Sequence, residues 1–304
     1  MKKIYYITAV FATLFLVGCG DGIDLPGVNV ETDLNKIPLP DNNVNLEQVE
    51  LKPSTEPMLH EGLHTEEDFQ RIRDKKAAGE EPWISAYQLL VESQFSQKTA
   101  DTYPTEWIKR GVSGDENYMN AARGATIVYQ QALRWKIEQD DEYAAKAVEN
   151  LNKWVQTCVG VTGNTNLSLA AGLYGYEFAI AGELLRDYGG WDRADFAAFQ
   201  NWLLKVFYPA NDDFLKRHHD TNALHYWANW CLCNIAAKMA IGIVTDRRDI
   251  YNEGIAHLQT GDTNGRLRRA IYHDYAPDYN FAQWQESGRD QGHTLMCVGL
   301  MGII

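Results

Sequence analysis

The residues best suited to chemistry lie near the end of the chain, in Gln283-Trp284-Gln285-Glu286-Ser287-Gly288-Arg289-Asp290-Gln291-Gly292-His293. The stretch is polar, almost free of aliphatic side chains, and opens onto an apolar run from Leu295 to Ile304. Glu286, Arg289 and His293 stand at i, i+3 and i+7, so a helix starting here would carry all three on one face. The apolar turns that follow must be buried, which sets this trio apart from an ordinary solvated face. Two readings are open: a buried ion pair with a satisfied histidine, or the floor of an active site.

A second constellation runs from His218 to Trp230. It stands at the entry of the most apolar helix the sequence predicts. His225 and Asn229 are four apart and would share a face of that helix. Asn229 is followed by Trp230, Leu232, Ile235, Ala236 and Met239, which read as core. An amide on such a helix must find partners or bear the cost of burial. It is either a structural cross-link to a neighbouring loop or a donor kept for a ligand. His218-His219-Asp220 lacks the spacing of a metal site and reads as a solvated loop. No metal and no cofactor is expected.

These two stretches need a scaffold, and the periodicity predicts helix after helix from about Leu63. Thr65-Glu-Glu-Asp68 resembles a capping box ahead of Phe69 and Ile72. Pro82-Trp83 opens a second helix, and Asn120 to Gln139 forms a third. Ala144, Val148, Leu151, Trp154 and Cys158 keep a 3.6-residue period. Leu173 to Tyr188 pairs with Phe196 to Phe207, and Trp227 to Ile243 with Arg248 to Leu258. No segment alternates strictly between hairpin turns. The fold class is therefore all-α, built of antiparallel helix pairs. Four longer connections, 95–117, 160–170, 208–224 and 259–283, are polar and aromatic, and sites are usually built on such loops.

The N-terminus carries an address. Lys2 and Lys3 precede a short apolar run, and Leu16-Val17-Gly18-Cys19 is a lipobox, the mark of a bacterial lipoprotein signal. Residues 1–18 are expected to be removed and Cys19 lipidated, a stable membrane anchor because several acyl chains share one residue. Residues 19–58, broken by Pro26, Pro38, Pro40, Pro53 and Pro57, read as a tether. Residues 59–304 form the folded domain, and its uncapped apolar end suggests that the sequence is truncated. An outer-membrane location, facing the periplasm or the cell surface, follows.

Twenty-eight basic residues against 41 acidic ones give a formal charge of −13. Nucleic acid is an improbable partner, since phosphate binding wants a basic stripe. An anionic polymer remains possible where a cleft is locally basic. Nine Trp and 16 Tyr suit either a sugar-binding cleft or a helical core. Cys158, Cys231, Cys233 and Cys297 all lie in apolar helical contexts and read as buried thiols.

Taken together, Leu63-His-Thr-Glu-Glu-Asp-Phe69, Gly79-Glu-Glu-Pro-Trp83, Leu173-Tyr-Gly-Tyr-Glu-Phe178, Ala228-Asn-Trp230 and Gln285-to-His293 resemble the alginate-lyase superfamily of polysaccharide lyases. The likeness runs from about Leu59 to the end and is strongest in the last two motifs. It implies an incomplete (α/α) toroid and β-elimination on a uronic-acid polymer. That chemistry needs donors that neutralise a carboxylate, a base for the C5 proton and an acid for the departing O4. The resemblance assigns Asn229 as the neutraliser, Arg289 to the carboxylate or the acid, and His293 as base or acid. His225 is the alternative base, and Tyr226, Tyr272 or Tyr275 would supply a tyrosine that the family places shortly after the arginine and that is missing here. Gln285 and Glu286 would hold sugar hydroxyls or orient Arg289. Trp230, Asn164, Asn166 and Tyr174 complete the expected substrate contacts.

Two other classes fit the same scaffold. A glycoside hydrolase would need two carboxylates across the bond, drawn from Asp220 with Glu286 or Asp290. A glycan-binding lipoprotein would need only an aromatic platform, and the titratable trio argues against it. The oligomeric state is open.

Overall fold

The computed structural model describes residues 55–56, 58–60, 62–275 and 282–304. The expected signal, Cys19 and nearly all of the tether lie outside the described residues. No helix among the described residues is long and apolar enough to cross a membrane.

The domain opens with α1 (Glu66–Ala77) and α2 (Trp83–Glu92). The capping box at α1 forms as its sequence predicts. Asp68 N–H donates to Thr65 Oγ1 at 3.1 Å, and Thr65 N–H donates to Asp68 Oδ2 at 3.0 Å. Acidic residues fill its first turn and Lys75 and Lys76 its last, as the helix dipole favours. There follow β1 (Trp107–Arg110), α3 (Tyr118–Glu138), α4 (Asp141–Thr157), β2 (Gly160–Gly163) and α5 (Leu167–Leu184). Then come α6 (Arg193–Val206), α7 (Tyr208–Arg217), α8 (Ala228–Val244) and α9 (Arg248–Thr260). The described chain closes with α10 (Leu267–Ala270), β3 (Ile271–Asp274), β4 (Ala282–Trp284) and α11 (Gln291–Ile303).

The protein is all-α in its architecture, with two layers. Helices α3, α5, α8 and α11 pack side by side as an inner layer. Helices α4, α6, α7 and α9 lie against them as outer partners. α5 and α8 are apolar almost all round because they are covered on both sides. Their approach is close: a Cβ at Gly172 would stand 2.5 Å from Cys233 Sγ, so only glycine fits. An aromatic seam of Trp154, Phe178, Phe199, Trp202 and Phe207 fills the space between the layers. Much of the aromatic content is thus spent on the core rather than on a sugar platform.

The inner helices run parallel. Ser168 O, in the first turn of α5, accepts from Asn234 in the first half of α8, while Arg186 Nη2, just past the end of α5, donates to Val244 O at the end of α8. Likewise Cys297 of α11 lies against the Asn229 N–H, and Ile304 shares a cavity wall with Met239 and Ile243. The N-terminal ends of α3, α5, α8 and α11 therefore gather at one end of the domain. The long connections enter at that same end. The 380 Å³ cavity walled by Ile304, Met239 and Ile243 lies at the other end.

Several expectations are corrected. Residues 208–224 read as a connection, yet α7 occupies the first half. Pro209 suits its first turn and Phe214 and Leu215 anchor it, but Asp212, Asp213, Lys216 and Arg217 mask the apolar stripe. Short strands are present: β1 pairs parallel with β2, and β3 antiparallel with β4. Strands of three or four residues are too short to display alternation. Finally, Glu286 and Arg289 do not lie on a helix with His293. The backbone turns at Glu286, where φ is +63°, and α11 begins only at Gln291 behind an Asp290 cap.

Burial sets the pH dependence of this scaffold. Glu177, on α5 near the hydroxyls of Tyr174 and Tyr176, has its carboxyl pushed up to about 8 from 4.5 by burial. The native state then holds a proton through pH 4.5 to 8 that the unfolded chain releases, so stability falls as pH rises through that window. Burial lowers His64 and His257 to about 4 from 6.5, so their contribution is lost as pH falls from 6.5 toward 4. Stability is expected to peak at roughly pH 6.5. Glu177→Gln should remove the alkaline limb, gaining about 2 kcal/mol at pH 8 and nothing near pH 4.5. Urea unfolding at both pH values measures it; parallel profiles for the two proteins would refute the assignment.

Candidate functional site

Helix α8 carries three buried polar side chains, and they differ in a telling way. Asn234 donates to Trp230 O at 2.8 Å and to Ser168 O, and its Oδ1 accepts from Asn211 at 2.7 Å. Lys238 pairs with Asp212 at 2.8 Å and with Glu253. Asn229, only 3% exposed, has its Oδ1 buried without a hydrogen-bond partner. Of the two readings the sequence left open for this amide, the cross-link to a loop is not what the structure shows.

The two stretches singled out by residue type meet at this point. Gln285 Oε1 accepts from the N–H of Ala228 at 3.0 Å, next door to Asn229. Its Nε2 donates to Arg269 O at 2.7 Å and to Asn264 Oδ1 at 3.1 Å. Asn264 in turn donates to the carbonyls of Leu224 and Tyr226. Gln285 thus clasps the start of α8 to the 284–290 turn. Of the two expected uses, holding sugar hydroxyls or orienting Arg289, these bonds favour the second, since both ends of the buried amide are taken by protein groups. Cys297, raised to about 11 by burial, lies between the Trp284 indole, the Glu286 carboxylate and the Asn229 backbone.

The turn that follows holds the expected trio together by bonds rather than by a helical stripe. Glu286, whose side chain is 2% exposed, accepts from Arg289 Nη1 at 2.7 Å, while its Oε2 is buried without a partner. Arg289 is itself half-exposed and reaches Asp290 at 3.6 Å. Asp290 Oδ1 caps α11 by accepting the His293 N–H at 2.8 Å, and its Oδ2 stands 2.6 Å from His293 Nδ1. The cap and the imidazole together hold the Asp290 carboxyl below its usual range. An ionised carboxylate can only accept, so Nδ1 carries the hydrogen of this contact, and Nε2 is the ring nitrogen that Asp290 does not touch. Asp290 was weighed in the sequence only as a hydrolase carboxylate; as the group that orients a histidine it was missed.

The remaining candidates are placed as follows. His225 is exposed and precedes α8, so it does not share a helical face with Asn229 as expected. Tyr226 is buried against Trp230 at 4.7 Å and Phe214 at 5.2 Å. Trp230, partly buried, packs in that same cluster. His218 and His219 are not a solvated loop. His218, His219 and Asp220 have φ of 48°, 53° and 58°, a left-handed turn of three non-glycine residues. His218 is buried near Cys231, and His219 Nε2 stands 2.9 Å from Ser168 Oγ. Asn164 Oδ1 accepts from Asn166 N–H and Nδ2, both at 2.9 Å, closing the entry to α5. Tyr174 is buried on α5. Tyr272 is exposed on β3, and Tyr275 Oη donates to Gln283 at 3.2 Å.

Residue type alone gave no reason to single out Arg110. Its guanidinium lies 4.7 Å from the centre of the Tyr118 ring, and its Nη1 is buried without a partner. The only signal in the sequence was its place in a polar connection.

The chain belongs to the alginate lyase family, whose model matches residues 72–270. The match spans Arg110 and Asn229 and stops short of Gln285 to His293. It supports a polysaccharide lyase function. No curated protein matches the chain.

Proposed function

We propose that this chain is a lipid-anchored polysaccharide lyase that cleaves a uronate polymer, alginate or a close relative, by β-elimination. The anchor is Cys19, and the location is the outer membrane. The amide of Asn229, whose Oδ1 is buried without a partner one residue from the Gln285 clasp, carries the reading. Burying an amide oxygen without a bond costs about 1–3 kcal/mol, a cost recovered when a sugar hydroxyl donates to it, with Nδ2 of the same amide turned to the carboxylate.

The chemistry follows from the groups present. Proton loss at C5 puts charge on the sugar carboxyl, and donors placed there in advance stabilise it. Asn229 Nδ2 and Arg289 are those donors. His293, held through Nδ1 by Asp290, presents Nε2 as the base. A tyrosine gives its own hydroxyl proton to the departing O4 and regains one when His293 releases the C5 proton after cleavage; Tyr226, or Tyr272 and Tyr275 on the segment that leads to Glu286, would supply it. The hydrolase alternative is weaker because Glu286 and Asp290 are already engaged by Arg289 and His293. Incubation with alginate, glucuronan and glycosaminoglycans, followed by ultraviolet absorbance, should show the 4,5-unsaturated product. New reducing ends without that chromophore would favour hydrolysis, and polymer binding without cleavage a binding protein.

A further inference from the structure

Arg110 sits in a segment where its neighbours have found acidic partners. Lys109 Nζ pairs with Asp115 at 2.6 Å, and the Gly111 N–H donates to Glu116 at 2.6 Å. Side chains alternate along a strand, so Arg110 points away from those two. That is the face of Ile108, which is fully buried, and the strand is held close to β2 at this point because Arg110 pairs with Gly163, where a Cβ would meet Arg110 O at 1.7 Å. The guanidinium leans on Tyr118, at the start of α3, and its charge reaches the Tyr174 hydroxyl on α5 and the Cys233 thiol on α8. Cys233 is one helical turn below Asn229. Arg110 therefore lies by the starts of the inner helices, the end of the domain that also holds Asn229. In a chain of charge −13, a guanidinium with a buried nitrogen and no carboxylate bonded to it is an anion site awaiting an anion.

We propose that Arg110 binds a second uronate carboxylate, on a sugar other than the one that loses its proton. The proposal rests on the uronate-polymer reading. Every sugar of such a polymer carries a carboxylate, so a site that neutralises one must also meet its neighbours. The planar guanidinium, stacked on Tyr118, presents its fork edge-on to a carboxylate.

The test uses Arg110→Met and Arg110→Lys in the full chain, each in the His293→Ala background so that ligands stay intact. The probes are oligomannuronate, oligoguluronate and oligoglucuronate of defined length, with carboxyl-reduced oligomers as neutral controls. Arg110→Met should weaken binding of the preferred oligouronate roughly 10- to 100-fold, with a shallower salt dependence. Arg110→Lys should recover part of that affinity. Neutral oligomers should bind parent and variant alike. The melting temperature without ligand should not fall, since methionine replaces an uncompensated cation. Unchanged oligouronate affinity in Arg110→Met overturns the proposal. An equal loss for neutral oligomers, or a lysine variant no better than methionine, makes Arg110 a packing residue and overturns it too. Product absorbance in the wild-type chain reports separately on β-elimination: oligouronate binding lost in Arg110→Met but without unsaturated product keeps Arg110 and removes the lyase.

Discussion

Replacing Asn229 by alanine is expected to cut turnover by a factor on the order of 100 to 1,000 while leaving stability within about 1 kcal/mol of wild type. The contrast residue is Asn234, five positions on in the same helix. Its amide is fully bonded, to Trp230 O, Ser168 O and Asn211. Asn234→Ala strips partners from buried groups and should cost about 2–3 kcal/mol. The pair separates the two uses of a buried amide. Asn234 is held by the protein, whereas Asn229, with its Oδ1 unbonded, is held in reserve. Initial rates on a uronate polymer and urea unfolding of both variants provide the measurement. An Asn229→Ala protein that turns over normally but unfolds easily would reverse the assignment.

The second large effect concerns Arg289 and Glu286. The Glu286 side chain is 2% exposed and bonded to Arg289 through one oxygen only. Arg289→Ala leaves a buried carboxylate with no cation, which should cost about 2 kcal/mol after allowing for the exposed half of the arginine. Turnover should fall by a factor of about 100 with it, since a donor to the developing charge is lost. Adding Glu286→Gln should restore most of the stability and none of the activity. Coupling of at least about 1 kcal/mol in the double-mutant cycle is the signature. Additive stability changes would mean that the two side chains do not depend on each other.

How much was legible beforehand depended on the range of the interaction concerned. Asn229, Arg289 and His293 stood out because polar residues interrupt runs that must be buried, a contrast visible within ten positions. The helices showed for the same reason: their period is local. Gln285 was left with two uses because its partners, Ala228, Asn264 and Arg269, are brought to it by the fold. Arg110 was invisible because a four-residue strand does not reveal which of Lys109 and Arg110 faces inward. That choice is made by pairing with Gly160–Gly163, some fifty positions away. The left-handed turn at His218–Asp220 also escaped notice, since its sequence lacks the glycine that usually announces positive φ. The family match reaches Asn229 but not His293.

The shared direction of the inner helices has one more consequence. Each brings the positive pole of its dipole to the same end, where α3, α5, α8 and α11 begin. The rest of the surface belongs to a strongly acidic chain. A polyanion nearing this protein would be pushed away from most directions and drawn in from one. Net repulsion acts over many ångströms and fades with added salt, whereas attraction at the helix starts acts at close range and is screened far less. Moderate salinity would then speed the capture of a charged polysaccharide, the opposite of what a basic binding groove would do.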